Sequence, residues 1–132
     1  MKLNHDCVRK VLLTIESELE YGDIIDSSEL QIKGFEQSEI VYAVAKLYEA
    51  DYLTGEPVQY ISDPVPRIRI RALTWNGHKF LDTVRDNKVW SATKGIASKF
   101  ASVSVSMVEN IAAQVITNII NQHLDENPIN LF

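Results

Sequence analysis

"PRIRIRALTW", residues 66–75, changes character halfway along, and its reading decides the fold. Arginine alternates with isoleucine as far as Arg71. Successive side chains of a strand point to opposite faces, so Ile68 and Ile70 are expected inward and Arg67, Arg69 and Arg71 outward. After Leu73 the alternation stops, and Thr74 stands before a run with helical spacing, where it reads as a helix cap. Upstream, "SDPVP" (62–66) is turn chemistry and joins this strand to another β-prone run, Pro57–Ile61. The stretch is therefore the second arm of a hairpin that feeds directly into a helix.

Helices are expected on both sides of this hairpin. Asn4 is a good N-cap, Asp6 lies in the first turn where the helix dipole favours it, and Leu3 can staple onto Val8. Val8, Val11, Leu12, Ile15 and Leu19 then share one face of a helix that closes at Gly22. Residues 24–33 read as a loop with a short extended piece at Leu30–Ile32. A second helix follows Gly34, with Ile40, Val44, Leu47 and Tyr48 as its buried stripe and Asp51–Tyr52 as its end.

Beyond the hairpin, Phe80, Leu81 and Val84 are the apolar positions of a third helix. A fourth, basic helix turns Trp90, Thr93, Ile96 or Ala97, and Phe100 inward, and Trp75 and Trp90 read as core anchors. In the last helix Ser106 and Glu109 have the spacing of a capping box. Behind them Val108, Ile111, Ala112, Val115, Ile116, Ile119, Ile120 and Leu124 make a wide apolar arc. The fold class is α+β, mainly α: a winged-helix-like domain over 1–88 and a C-terminal helical extension over 89–132.

Composition bounds the function. With 45% apolar and 23% charged residues the chain reads as an ordinary globular protein that needs no disulfide or metal to fold. Its one cysteine, Cys7, suits a reducing cytoplasm, and "MKLNHDCVRK" has no apolar signal core. The uncharged run Asn110–Gln122 is too short and polar to span a bilayer, so the expected location is cytoplasmic. Charge is uneven: residues 1–63 hold five basic and thirteen acidic side chains, whereas residues 64–99 hold eight basic and two acidic. Such asymmetry speaks to partners more than the pI does.

Three stretches carry a resemblance: "VRKVLLTIE" (8–16), "IKGFEQSEIVYAVAKLYEADYL" (32–53) and above all "LTWNGHKFLDTVRDNKVWSATK" (73–94). The chain resembles a phage- and prophage-encoded family of small bacterial proteins known only as a domain of unknown function. It is similar in layout to the YjcQ-like winged-helix proteins. The family run is matched at Leu73, Thr74, Gly77, His78, Phe80, Leu81, Asp82, Arg85, Asp86 and Trp90. Two positions depart from it: Asp51 stands where the family places glycine, and Glu36 where it places serine. The resemblance implies a winged-helix fold and a mobile-element origin, and no catalytic residue.

Enzyme chemistry finds little footing. His5, Asp6 and Cys7 are consecutive on a helix and point about 100° apart, which suits a cap and a free thiol rather than a metal. His78 and Asp82 are i, i+4 but lack a third ligand, and no phosphate loop or nucleophile elbow is present. The chain is expected to be non-catalytic, with no cofactor.

Double-stranded DNA is the leading expected partner. Arg67, Arg69 and Arg71 would grip phosphate, while Gln37, Ser38, Tyr42 and Lys46 on the second helix would face base and sugar edges. Against this, Glu36, Glu39, Glu49 and Asp51 put the wrong sign beside that helix. The alternative is a protein-interaction adaptor that engages a host protein through the acidic N-terminal half or the C-terminal helix. Val108, Ile111, Val115 and Ile119 would line that helix's interface, and a homodimer through it is also expected.

Overall fold

Asn4 starts the first helix as its spacing requires: its Oδ1 accepts from the Cys7 backbone N–H at 3.1 Å. The structure, a computed structural model that describes residues 1–126, then runs α1 (His5–Glu18), β1 (Ile25–Asp26), a one-turn 3-10 helix (Ser27–Glu29) and α2 (Gln37–Glu49). The hairpin β2 (Leu53–Val58) and β3 (Arg67–Leu73) follows, then α3 (Trp75–Val84), α4 (Asn87–Ala97) and α5 (Val105–Glu126). The fold is α+β and mainly helical, as the sequence indicates. Its sheet is antiparallel with strand order β1-β3-β2. The chain divides into two compact units, Met1–Leu81 and Asp82–Phe132, and the division falls inside α3.

In the first unit, α1 and α2 pack on each other and both pack on β3. Cys7, Val8, Val11, Leu12 and Ile15 of α1 are buried with Ile40, Ala43, Val44 and Leu47 of α2. Ile68 and Ile70 of β3 are buried with them, so the alternation in "RIRIR" is realised as expected. Fully burying each such aliphatic side chain stabilises the fold by roughly 1.5–3 kcal/mol.

Several boundaries differ from expectation. Helix α1 stops at Glu18 with Leu19 already extended, and Gly22 serves a later turn at φ +92°. The extended piece of the 24–33 segment is Ile25–Asp26, not Leu30–Ile32, and Leu30 is a buried core residue. Strand β2 begins at Leu53, four residues before the expected run, and puts Pro57 on an edge strand where a missing N–H costs least. Its register slips between Thr54 and Gly55, which leaves Arg71 of β3 without a Cα partner on β2.

Helix α2 ends as a Schellman motif. Asp51 donates its backbone N–H to Tyr48 O at 3.1 Å, and Tyr52 donates to Leu47 O at 2.9 Å. The motif needs a left-handed residue, and Asp51 supplies it at φ +64°. A side chain there is strained, so Asp51→Gly is expected to stabilise the protein by about 0.5–1 kcal/mol in thermal unfolding. A lower melting temperature would contradict this account. The Glu36 departure lies at the other end of the same helix, as its N-cap residue. There Glu39 Oε1 accepts from the Glu36 N–H at 3.4 Å.

Thr74 locks the hairpin to α3. Its N–H donates to Tyr52 O at 3.1 Å and its hydroxyl to Asp51 O at 2.6 Å, while its Oγ1 accepts from Gly77 N at 3.1 Å. Phe80 is buried beyond it and stacks on Tyr52, with ring centroids 5.5 Å apart.

Cys7 is fully buried, and burial, with the Glu39 carboxylate adding to it, pushes its thiol up to about 11. An unfolded thiol ionises near 8.5, so the folded thiol stays neutral where the unfolded one does not. Stability is therefore expected to fall as the pH rises from about 8.5 towards 11. At pH 8 a thiol reagent should modify the native chain far more slowly than the denatured one; equal rates would refute it.

In the second unit α4 and α5 pack on each other and differ in reach: 11 residues against 22, or about 16 Å against 33 Å. Asp86 caps α4, accepting from Lys88 N at 2.9 Å and Val89 N at 3.0 Å. Trp90 and Thr93 are buried as expected. Helix α5 is capped by Ser104, whose Oγ accepts from Met107 N at 3.2 Å, rather than by Ser106. None of the helices in the described residues is long and apolar enough to cross a membrane.

Candidate functional site

The three arginines of β3 fall into different environments. Arg67 is part-buried: its guanidinium lies 4.9 Å from the centroid of Tyr60, and its Nε is 3.6 Å from Asp63 Oδ2. Arg71 Nε meets Glu56 Oε1 at 2.6 Å. Arg69 is exposed, in register with Asp26 on β1 and Glu56 on β2. All three therefore stand in a row with carboxylates close by. A half-exposed pair such as Arg71–Glu56 contributes little to stability, but carboxylates this close lower the positive potential a phosphate would meet.

The loop between β2 and β3 owes its shape to the same groups. Asp63 Oδ2 accepts from Tyr60 N at 3.2 Å, Asp63 N donates to Tyr60 O at 2.9 Å, and Gln59 Nε2 donates to Asp63 O at 3.3 Å. This arrangement leaves Ile61 fully exposed at the tip and Tyr60 more than half exposed. The tip is aliphatic where a phosphate-gripping loop would be basic.

On α2, Gln37 holds the fold together: its Nε2 donates to Ser28 O at 3.0 Å and Ser27 O at 3.3 Å, tying the helix to the 3-10 turn. Lys46 pairs with Glu49 at 2.9 Å and lies 5.5 Å from the Tyr42 ring centroid. The Glu49 hydrogen bond holds the Lys46 ammonium above its ordinary value. Ser38 is exposed and Tyr42 part-exposed on the same helix. Asp82 pairs with Arg85 at 3.0 Å, away from its sequence partner His78. Sequence reasoning missed Ser27, a fully buried serine whose Oγ accepts from Ile68 N at 3.0 Å; a polar residue in a loop carries no such signal.

The second unit shows the opposite character. Of the apolar arc on α5, only Val108 and Ala112 are buried. Ile119, Ile120 and Leu124 are exposed, with Met107, Ile96 and, contrary to expectation, Phe100, while Ala97, the alternative to Ile96, is the half-buried one. Trp75, in the first unit, is also no core anchor, at 84% exposed. Ile96 lies in the last turn of α4 and Phe100 three residues beyond its end, where the chain leaves the helix.

These side chains border a groove of roughly 530 Å³ within the second unit. Its walls are Ile96, Phe100, Val103, Met107, Ile111 and Val115. Serines and amides rim it, Ser102, Ser104, Asn110, Gln114 and Asn118, with no charged group among the lining residues. An apolar floor with a neutral polar rim is the composition of an interface core. Of the four expected interface residues, Ile111 and Val115 line the groove, Val108 is buried, and Ile119 is exposed outside it. Among the described residues no group of three or more His, Cys, Asp or Glu is placed to hold a metal ion.

These observations define a small α+β protein, mainly helical, whose second unit leaves apolar surface uncovered. Residues 2–104 match the family described as hypothetical protein (DUF2513), and the chain belongs to that family. It is 30% identical over 122 residues to an uncharacterized protein of Haemophilus influenzae (strain ATCC 51907 / DSM 11121 / KW20 / Rd), across 91% of this chain and 99% of that protein. No solved structure matches the chain. The family match stops one residue before α5 begins.

Proposed function

We propose that this chain is a non-catalytic protein-interaction module of phage or prophage type. Its first unit is a winged-helix domain and its second unit carries the docking surface. The carrying observation is the uncharged apolar groove bordered by Phe100, Met107, Ile111 and Val115, which suits the apolar face of a partner helix. The order α1-β1-α2-β2-β3 with sheet order β1-β3-β2 supports the winged-helix reading. Charge supports protein over nucleic acid: Met1–Leu81 holds nine basic and thirteen acidic side chains, an unfavourable balance for a polyanion.

A second reading keeps DNA as the partner, favoured by exposed Arg69 at the centre of the sheet with Ser38 exposed and Tyr42 part-exposed on α2. Affinity capture from host lysate, paired with duplex anisotropy, separates the two. The interaction reading expects a protein retained by the wild type and by the Arg67→Ala, Arg69→Ala, Arg71→Ala triple variant, and lost with Phe100→Glu. Salt-sensitive duplex binding that the triple variant abolishes would replace it with the DNA reading.

A further inference from the structure

A single asparagine of the chain is followed by glycine, Asn76–Gly77, and the pair lies in the first turn of α3. An asparagine amide is open to attack by the backbone nitrogen of the next residue. Glycine shields that nitrogen least, because it has no side chain. Every other asparagine here precedes a residue with a side chain.

The fold holds this pair closed. Asn76 is exposed, so its amide is in water, but Gly77 is buried. The Gly77 N–H donates to Thr74 Oγ1 at 3.1 Å, and the next amide, that of His78, donates to Thr74 O at 3.0 Å. Ring closure needs the Gly77 nitrogen to lose its proton and turn onto the Asn76 side chain. Both bonds to Thr74 oppose that turn. Nor is the glycine free to change. A Cβ on Gly77 would meet the Tyr52 carbonyl oxygen, so the close approach of α3 to the end of α2 demands the very residue that makes Asn76 reactive.

We propose that Asn76–Gly77 is a spontaneous modification site gated by the first turn of α3, closed in the native fold and deamidated when the Thr74 bonds open. On opening, the Gly77 nitrogen gives up its proton and bonds to Asn76 Cγ. The Cγ–Nδ2 bond breaks, and the amide takes up a proton and leaves as ammonia. Water then opens the cyclic imide on one side or the other. Hydrolysis at Cγ gives aspartate at position 76, and hydrolysis at the main-chain carbonyl gives isoaspartate, whose main chain runs through Cβ.

The two products act in opposite directions. Aspartate puts a negative charge in a first turn that has none, where the helix dipole favours it. Isoaspartate adds a methylene to the main chain, which shifts Gly77 off Tyr52 and Phe80 out of register with the Tyr52 ring. A chain that loosens α3 and takes the isoaspartate branch therefore cannot restore the same contact, and the opening is recorded permanently. The site lies in the first unit and is independent of the groove.

Trypsin cuts after Arg71 and Lys79, so residues 72–79 come free as a peptide with Asn76 as its only asparagine. Mass spectrometry of that peptide, after the full chain has stood at pH 8, measures conversion, and chromatography separates aspartate from isoaspartate. The native chain should convert at least about tenfold more slowly than the chain in denaturant, because only the open fraction reacts. Thr74→Val, which removes the hydroxyl that holds Gly77 N, should raise the native rate severalfold, and Thr74→Ser should restore protection. Asn76→Asp should melt no lower than the wild type, whereas chain aged in denaturant and refolded should melt lower in proportion to its isoaspartate.

Equal rates in the native and denatured chains would overturn the gate, and no conversion in denaturant would overturn the site. A folded Thr74→Val that converts no faster than the wild type would remove Thr74 from the gate. Circular dichroism shows whether that variant is folded; where it is not, the native and denatured wild-type rates decide alone.

Discussion

Replacing Gly77 by alanine is expected to destabilise the protein by about 3 kcal/mol and lower its melting temperature by roughly 10 °C. A Cβ at this position would run into the Tyr52 carbonyl oxygen, with the Tyr52 carbonyl carbon at 3.1 Å and Leu73 Cβ at 3.4 Å. The obstacle is backbone, so no side chain can turn aside. Helix α3 would have to lift from the end of α2, and Tyr52 O also accepts the Thr74 N–H there. Gly95, in the last turn of α4, is the control: a Cβ meets nothing within 4 Å. Alanine restores helix propensity at that site and should stabilise by about 1 kcal/mol. Thermal unfolding of both variants checks the opposite signs; a shared sign would sink the close-approach argument.

Phe80→Ala should cost more, about 3–5 kcal/mol. The ring is 1% exposed and lies nearly parallel to Tyr52, with an interplanar angle of 24°. Its removal leaves a cavity beside the latch that Thr74 makes with Asp51 and Tyr52. Trp75, five residues earlier and largely exposed, should by contrast change stability by about 0.5 kcal/mol or less when truncated to alanine. Urea midpoints of the two variants test the contrast. Similar losses would mean that the Trp75 ring has a packing role its exposure does not reveal.

The elements with a strong period were legible in the sequence, and the reason is visible in the core. Ile68 and Ile70 announce their face because a strand alternates, and Ile40, Val44 and Leu47 announce theirs because helical neighbours recur. Strand β1 is only two residues long, so Ile25–Asp26 has no period to detect. Ser104 and Ser106 are equivalent as letters, and only the backbone turn decides which hydroxyl faces Met107 N.

The candidate site was less legible than the fold. Periodicity reports which residues share a face of a helix, but not whether anything covers that face. Phe100 accordingly looks inward in the sequence and stands exposed in the structure. The β3 arginines look like a basic stripe because Asp63 and Glu56, which meet Arg67 and Arg71, lie four and fifteen residues away in the chain. Charge balance over a segment says nothing about such pairs.

The two tryptophans fall one to each unit: Trp75, bathed in solvent, in the first, and Trp90, 5% exposed, in the second. An indole's emission follows the polarity around it, so the pair forms a built-in two-channel reporter. Substituting phenylalanine for either ring leaves a single fluorophore that belongs to one unit alone. Collisional quenchers should reach Trp75 in the native state and Trp90 only after its unit opens. Denaturation curves from the two single-tryptophan chains would then show whether the units melt together or in sequence, with no extrinsic label.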